Sequence, residues 1–384
     1  MLSIEKKENC SGCSACFSAC PQKCIQMKED KEGFLYPIVD VNKCINCNIC
    51  NTVCPNKRRD LTSVILSSLA CSTQAKIKEN CSSGGVFYAL AISILELGGV
   101  VFGAAFDSKW NVVHKRADNQ KELQALLKSK YVQSDVAGVF SQVKNELNNN
   151  RWVLFSGTPC QVAGLKCFLK KDYERLLLID VICHGVPSPK VWKKYLLEKM
   201  TKTMQGYQIY NVDFRDKSDS WMDYKFSISY SKNSLYEKDS VPHYKDPYMR
   251  LFLRNVILRP SCYKCHFRGL NYSSDITLGD FWGVDELIET KSDDKGVSAV
   301  IVRTKKGQEF ISNVNFELSK SVSYDDIVSR NVSLIESYDM PDFRKFFFLT
   351  YNILSIRSLA NHLMGHASFT NKAIYKLALM LKLI

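Results

Sequence analysis

The chain has 384 residues, 46% of them hydrophobic and 24% charged, which supplies at least one large core, allows for two or three domains and excludes a disordered protein. Its formal charge is +13, but the basic residues are dispersed and the densest run is Lys57-Arg58-Arg59, so the charge does not point to nucleic acid. Sixteen cysteines in so long a chain, opening MLSIEKKENC with no apolar signal segment, predict metal ligands or inert core thiols in a reducing cytoplasm rather than disulfides.

The first sixty residues carry two copies of C-x2-C-x2-C-x3-C-P, offset by 34 residues: Cys10, Cys13, Cys16, Cys20 with Pro21, and Cys44, Cys47, Cys50, Cys54 with Pro55. This is the spacing of a two-cluster bacterial ferredoxin, in which the fourth cysteine of each run serves the other run's cluster. Cys10, Cys13, Cys16 and Cys54 are therefore expected to hold one 4Fe-4S cluster, and Cys20, Cys44, Cys47 and Cys50 the other. Zinc sites pair their ligands instead of grouping three with a distant fourth. Between the runs, KEDKEGFLYPIVD predicts a turn opening onto a short strand. A separate core is expected for this module.

From about residue 80 helices and strands alternate. CSSGGVFYALAISILELGG predicts a Ser-capped helix closed by a glycine pair, and VVFGAAF and VVHKRA are strands around the turn DSKWN. DNQKELQALLK and DVAGVFSQVKNEL are amphipathic helices. WVLFS and LLLIDVIC are buried strands that each lead into a turn and a helix, and NVDFR, KFSISY, DITLGDF and SAVIVRT complete a mixed sheet. The fold class is thus α+β or α/β: a small two-cluster ferredoxin domain followed by a larger mixed-sheet domain. No Gly-x-Gly-x-x-Gly follows a strand, and the apolar run Val86 to Leu95 falls short of the roughly 18 residues that span a membrane.

Three stretches of the larger domain can carry chemistry. Ser82-Ser83-Gly84-Gly85 opens a helix, where free amides and a positive dipole end suit an anion, although taken alone a plain serine cap is the better reading. In SGTPCQ, Thr158 caps, Pro159 takes the first helical position, and Cys160 falls in the first turn, where the dipole favours thiolate. In DVICHGVPSP, Cys183 ends a strand. Cys160 and Cys183 lie at comparable strand-to-helix turns and should converge at one sheet edge. With Cys262 and Cys265 of RPSCYKCHFRG they make four thiols, the number a third 4Fe-4S cluster needs. Structural zinc is the alternative. Haem at Cys262-x-x-Cys265-His266 fits poorly, since covalent attachment follows export, and His266 is most simply a surface residue or a neighbour of the ligands. Each 4Fe-4S core held by four thiolates would carry 2−, so three would bring the formal charge to about +7.

The segments CSSGG, SKYVQSD, FSGTPCQVAGL, DVICHGVPSP, SCYKCHF and DITLGDFWG together resemble the coenzyme F420 hydrogenase/dehydrogenase beta-subunit family, from the ferredoxin module to about residue 310. The resemblance implies FAD and iron-sulfur clusters, with Ser82, Ser83, Gly84, Gly85, Ser129, Lys130 and Tyr131 helping to hold FAD and Cys160, Cys183, Cys262 and Cys265 holding the flavin-proximal cluster. Lys128 departs from the glycine expected before Ser129. The domains expected are 1–60 (ferredoxin type), 75–310 (flavin and iron-sulfur) and 311–384 (helical extension), the last ending in AIYKLALMLKLI, whose helices pack on the domain or touch a partner or membrane surface.

The function this implies is a cytoplasmic oxidoreductase. It takes electrons from ferredoxin or another low-potential carrier through the two ferredoxin-type clusters and a third to FAD, and on to a substrate that the sequence does not name. The alternative is a non-catalytic subunit that links a partner oxidoreductase to ferredoxin or coenzyme F420. Neither a catalytic residue nor the oligomeric state follows from the sequence.

Overall fold

The computed structural model describes residues 2–58, 63–203, 206–288 and 293–363. The predicted terminal helix over residues 373–384 lies outside them. In the N-terminal module two short helices, Ala15–Ala19 and Ile49–Thr52, flank a hairpin of β1 (Ile25–Glu29) and β2 (Leu35–Val39). The sequence showed only the second of these strands. The cysteine runs share a backbone shape as well as a spacing: Gly12 and Ser14 have φ of 71° and 59°, and their counterparts 34 residues later, Asn46 and Asn48, have 54° and 62°.

The larger domain is built on an eight-stranded sheet. Its strands are β3 (Ser67–Ser72), β4 (Val100–Phe106), β5 (Val112–Ala117), β6 (Val153–Gly157), β7 (Leu176–Val181), β11 (Ile276–Asp280), β12 (Ser298–Val302) and β13 (Leu318–Ser321), in the order β13-β3-β12-β11-β7-β6-β4-β5. The central four, β11, β7, β6 and β4, run parallel, and antiparallel neighbours close both sides. Parallel strands covered on both faces must be apolar throughout, which is why VLF and LLLI are continuous buried runs. A separate three-stranded antiparallel sheet holds β8 (Gln208–Asp216), β9 (Lys225–Lys232) and β10 (Leu235–Pro242).

Three expectations change. The larger domain is wider than 75–310, because β3 and β13 lie outside those limits and pair in its sheet. Residues 118–128 make only one α-helical turn, Gln120–Leu123, and a 3-10 turn, Gln124–Leu126, before the chain must reverse at Lys128. The ferredoxin module keeps a small core of its own around Leu2, Cys24 and Ile25, but on its other side Cys13, Ala15 and Val53 are buried together with Phe102, Phe140, Phe155, Val162 and Leu165 of the larger domain. Among the described residues no helix is long and apolar enough to cross a membrane.

Candidate iron-sulfur and flavin site

The two cysteine runs are interleaved. Cys13 and Cys16 sit within electrostatic reach of Cys10 and Cys54, and burial first, then those neighbouring thiols, pushes Cys16 up to about 12 and Cys13 well above the usual thiol range. Cys20, from the first run, lines one cavity with Cys44, Cys47 and Cys50 of the second. The fifth thiol on that cavity is the buried Cys24, its sulfur 3.4 Å from that of Cys20. The two groups differ in setting. Cys47 is exposed, whereas Cys13 faces the helix Pro159–Leu169 so closely that a Cβ at Gly164 would lie 2.9 Å from its sulfur.

Cys160, Cys183, Cys262 and Cys265 line a second cavity. Its position follows from the sheet. Parallel β6 and β7 pair Gly157 with Asp180, so the turns after both strands open at the same edge and carry Cys160 and Cys183 to it. Thr158 caps the helix, with its amide donating to the Gln161 side chain at 3.0 Å, and its hydroxyl lies 3.2 Å from the Cys160 sulfur. The other pair arrives on the 3-10 turn Pro260–Lys264, where the Val186 amide donates to the Cys262 sulfur at 3.4 Å. Gly185 takes φ 144°, and a Cβ there would lie 2.8 Å from a Leu258 methyl and 3.3 Å from the Cys262 Cβ, so a side chain would strain the loop beside Cys183. Ser11 and Asn56 of the ferredoxin module complete the wall, so this cavity adjoins the Cys10 group. His266 lies at its exposed rim. Burial, reinforced by the neighbouring thiols, pushes Cys262 to about 11 and Cys160 to about 12 and raises Cys183 strongly. Cys160, Cys183 and Cys262, raised in this way, ionise together only with a cationic centre among them.

The serine-glycine loop is arranged differently from its sequence reading. The helix Val86–Glu96 is capped by Gly85 at φ 83°, not by a serine. The hydroxyl of Ser82 accepts from the Ser129 amide at 2.8 Å and lies 2.9 Å from the Ser129 hydroxyl, while Ser83 donates to the Val297 carbonyl. Gly84 is not open to a ligand: its amide donates to Ser298 at 3.0 Å, its carbonyl accepts from Thr73, and a Cβ would lie 2.3 Å from the Cys71 carbonyl. Gly84 is small because β3 and β12 pass beside it. Lys130 also turns inward, with its ammonium on the Leu127 and Ala125 carbonyls at 2.5 and 3.0 Å, and burial lowers it to about 7.

The cations near the serine pair are Lys128 and Lys217, neither of which the sequence marked as a binding residue. Lys128 takes φ 66°, the conformation that a glycine would favour, and its ammonium pairs with Asp213 at 2.5 Å. Lys217 donates to the Ser83 carbonyl at 3.2 Å and to that of Lys295, and burial lowers it to about 8. The clue was RDK at residues 215–217, a charged run where the strand NVDFR ends. Tyr131 links this loop to the thiol cavity: its ring stacks on Phe252 at 4.8 Å, and Phe252 meets His184, next to Cys183, at 4.9 Å.

Residues 9–57 match the 4Fe-4S dicluster domain, and residues 150–321 match the family described as the C terminus of the coenzyme F420 hydrogenase/dehydrogenase beta subunit. Residues 150–321 thus carry a domain of this beta-subunit family, behind an N-terminal 4Fe-4S dicluster domain. The two matches support an iron-sulfur electron-transfer role, with two 4Fe-4S clusters in the N-terminal domain. No curated protein matches the chain. Among solved structures, a chain of the xenon-derivatised F420-reducing [NiFe] hydrogenase complex from Methanosarcina barkeri aligns over 72% of this chain and 92% of that one, at 17% identity and a TM-score of 0.46. Of the remaining thiols, Cys71 is buried in β3 and Cys167 in the core cluster that holds Phe140, while Cys81 adjoins the serine loop next to Ser82, where burial raises it to about 11 against the pull of Lys217 and Lys128.

Proposed function

We propose that this chain is an FAD-dependent oxidoreductase with three 4Fe-4S clusters, held by Cys10, Cys13, Cys16 and Cys54; by Cys20, Cys44, Cys47 and Cys50; and by Cys160, Cys183, Cys262 and Cys265. The observation that carries it is the convergence of the last four thiols, from three separate segments, on one cavity against the ferredoxin module. The donor set is all thiol, which suits iron-sulfur chemistry.

When bound, the clusters supply one-electron transfer, and FAD would couple single electrons to a two-electron reduction. The side chains do the rest. Ser82 and Ser129 present hydroxyls, and Lys128 and Lys217 supply the positive charge that a pyrophosphate requires. The half-buried Tyr131 stacks on the buried Phe252, whose ring meets His184 beside Cys183, and so lies between that loop and the thiol cavity. The donor is proposed to be ferredoxin or a similar carrier meeting the exposed Cys47 side.

The test is anaerobic purification with an iron count. About twelve irons per chain and a broad visible band without a sharp Soret peak are expected. Cys265→Ala should remove roughly a third of the iron while His266→Ala removes none. An unchanged count in folded Cys265→Ala overturns the third cluster.

A further inference from the structure

Arg259 is completely buried, yet its hydrogen bonds end on no carboxylate. Its Nε donates to the Cys10 carbonyl at 2.7 Å, one terminal nitrogen to the Gln133 side-chain oxygen at 3.0 Å, and the other to the Leu35 carbonyl at 2.9 Å. That last nitrogen also lies 3.6 Å from the Cys10 sulfur. The guanidinium covers the Tyr36 ring at 4.3 Å, and Gln133 reaches on to the Ser11 carbonyl at 3.0 Å, so the fork is held on both sides of Cys10. Its own carbonyl accepts from the Cys262 amide at 2.9 Å. One residue thus joins two cysteine groups.

A guanidinium keeps its charge under all ordinary conditions, and a buried one without an anion is strongly disfavoured. Asp30 and Glu32 act on the same Tyr36 ring from a distance, and of the side chains that Arg259 hydrogen-bonds only the Cys10 thiol can supply an anion. Cys10 is in direct contact, and the Cys160 and Cys262 thiols lie within reach of its field. The outer group, Cys20, Cys44, Cys47 and Cys50, has no such contact among the described hydrogen bonds of Arg259.

We propose that Arg259 is a positioning residue shared by two clusters: its N–H donors and charge favour an added electron on the group of Cys10, Cys13, Cys16 and Cys54 and on that of Cys160, Cys183, Cys262 and Cys265 over the outer group. This rests on the reading of those cysteines as cluster ligands. Each step moves one electron, lost by the outer group and gained by the inner one, supplied by a reduced one-electron carrier of the ferredoxin type; no bond or proton changes. Arg259 sets the direction, inward from Cys47.

The experiment is a redox titration of the full chain followed by EPR, with signals assigned by their changes in Cys13→Ser, Cys47→Ser and Cys265→Ser. Arg259→Gln should lower the midpoint of the Cys10 group most and that of the Cys160 group less, and leave the outer one in place. Arg259→Lys should recover part of the shift. Because Arg259 is wholly enclosed, Gln133→Glu gives a second test: it sets a carboxylate against the guanidinium without removing it, and should shift the same midpoints downward. That change also removes the Gln133 donation to the Ser11 carbonyl, so the partial recovery in Arg259→Lys is what separates charge from structure. Unmoved inner midpoints in iron-replete Arg259→Gln, or in Gln133→Glu where the first does not fold, overturn the proposal, as does an equal shift of all three. A wild-type chain with well under about twelve irons overturns the cluster reading beneath it instead.

Discussion

Arg344 grips the carboxylate of Glu32 with both terminal nitrogens, at 3.0 and 2.6 Å, across 312 residues of sequence. The arginine also reaches the Leu258 carbonyl and the Tyr263 hydroxyl, and the Tyr351 hydroxyl donates to the Lys31 carbonyl beside it. The C-terminal helices therefore clasp the hairpin of the ferredoxin module. Glu32→Ala strands a buried guanidinium and should cost about 3 kcal/mol, read as a lower urea midpoint; Glu32→Gln should cost less. Deleting residues 1–60 goes further, since it strips Cys13, Ala15 and Val53 from a shared core. The truncated chain should bind ANS and lose cooperative unfolding, contrary to the separable domains that the two sequence patterns suggest. A cooperative melt at the wild-type midpoint would show that the clasp and shared core matter little.

For flavin binding, Gly84 is the wrong residue to change. Gly84→Ala drives a methyl into the Cys71 carbonyl and should lower stability whether or not FAD binds there. Lys217→Gln and Ser82→Ala leave the strand contacts of Gly84 intact. Each removes one charge-assisted or hydroxyl contact, worth about 1–2 kcal/mol, and should weaken FAD roughly tenfold. Fluorescence titration of FAD beside a thermal melt separates affinity from folding. Wild-type affinity in folded Lys217→Gln places the pyrophosphate elsewhere.

The cysteines were the most legible part of the chain because spacing alone restricts which thiols can meet. Cys160 and Cys183 could be brought together from topology, as parallel strands open their turns at one edge. The serine-glycine loop was harder: a glycine needed for ligand approach and one needed because Ser298 and Cys71 crowd it read alike in sequence, and only packing separates them. The same limit hid Arg259 and Arg344, single arginines whose partners lie hundreds of residues away. The shared core was hidden for a related reason, because the short apolar stretches of the first sixty residues do not reveal what covers them.

His114 gives a pH test away from the thiols. It is buried, with Nδ1 2.7 Å from the Ser134 hydroxyl and Nε2 2.9 Å from the Ser156 carbonyl, and burial lowers it to about 4 from an ordinary value near 6.5. The folded chain thus holds the ring neutral where the unfolded chain binds a proton. Stability from this residue is full above about pH 6.5 and falls as the pH drops toward 4, by about 3 kcal/mol in all. Asp180, raised by burial to about 7, acts in the opposite direction over part of the window. The reading is therefore the difference between wild type and His114→Gln: it should narrow from pH 7 to pH 4. A constant difference would mean that His114 takes up its proton equally in the folded and unfolded chains.

The last prediction concerns where electrons enter. Deleting the module confounds entrance with folding, since the shared core is lost with it, so a single exposed ligand is the better probe. Cys47 is the exposed thiol of its group, while Cys13 is buried against the helix Pro159–Leu169. Cys47→Ser should leave the shared core undisturbed and perturb only the outer cluster. With reduced ferredoxin as donor, flavin reduction followed by stopped-flow should slow by at least about tenfold, a barrier increase near 1.4 kcal/mol, whereas dithionite should reduce the flavin at an unchanged rate. If a hydride donor such as reduced F420 meets the flavin directly, the variant should spare that step and slow only the bleaching of the cluster bands. Equal rates of flavin reduction by ferredoxin in wild type and Cys47→Ser would remove the outer group from the path, and the carrier would then have to dock where Cys160, Cys183, Cys262 and Cys265 open past His266.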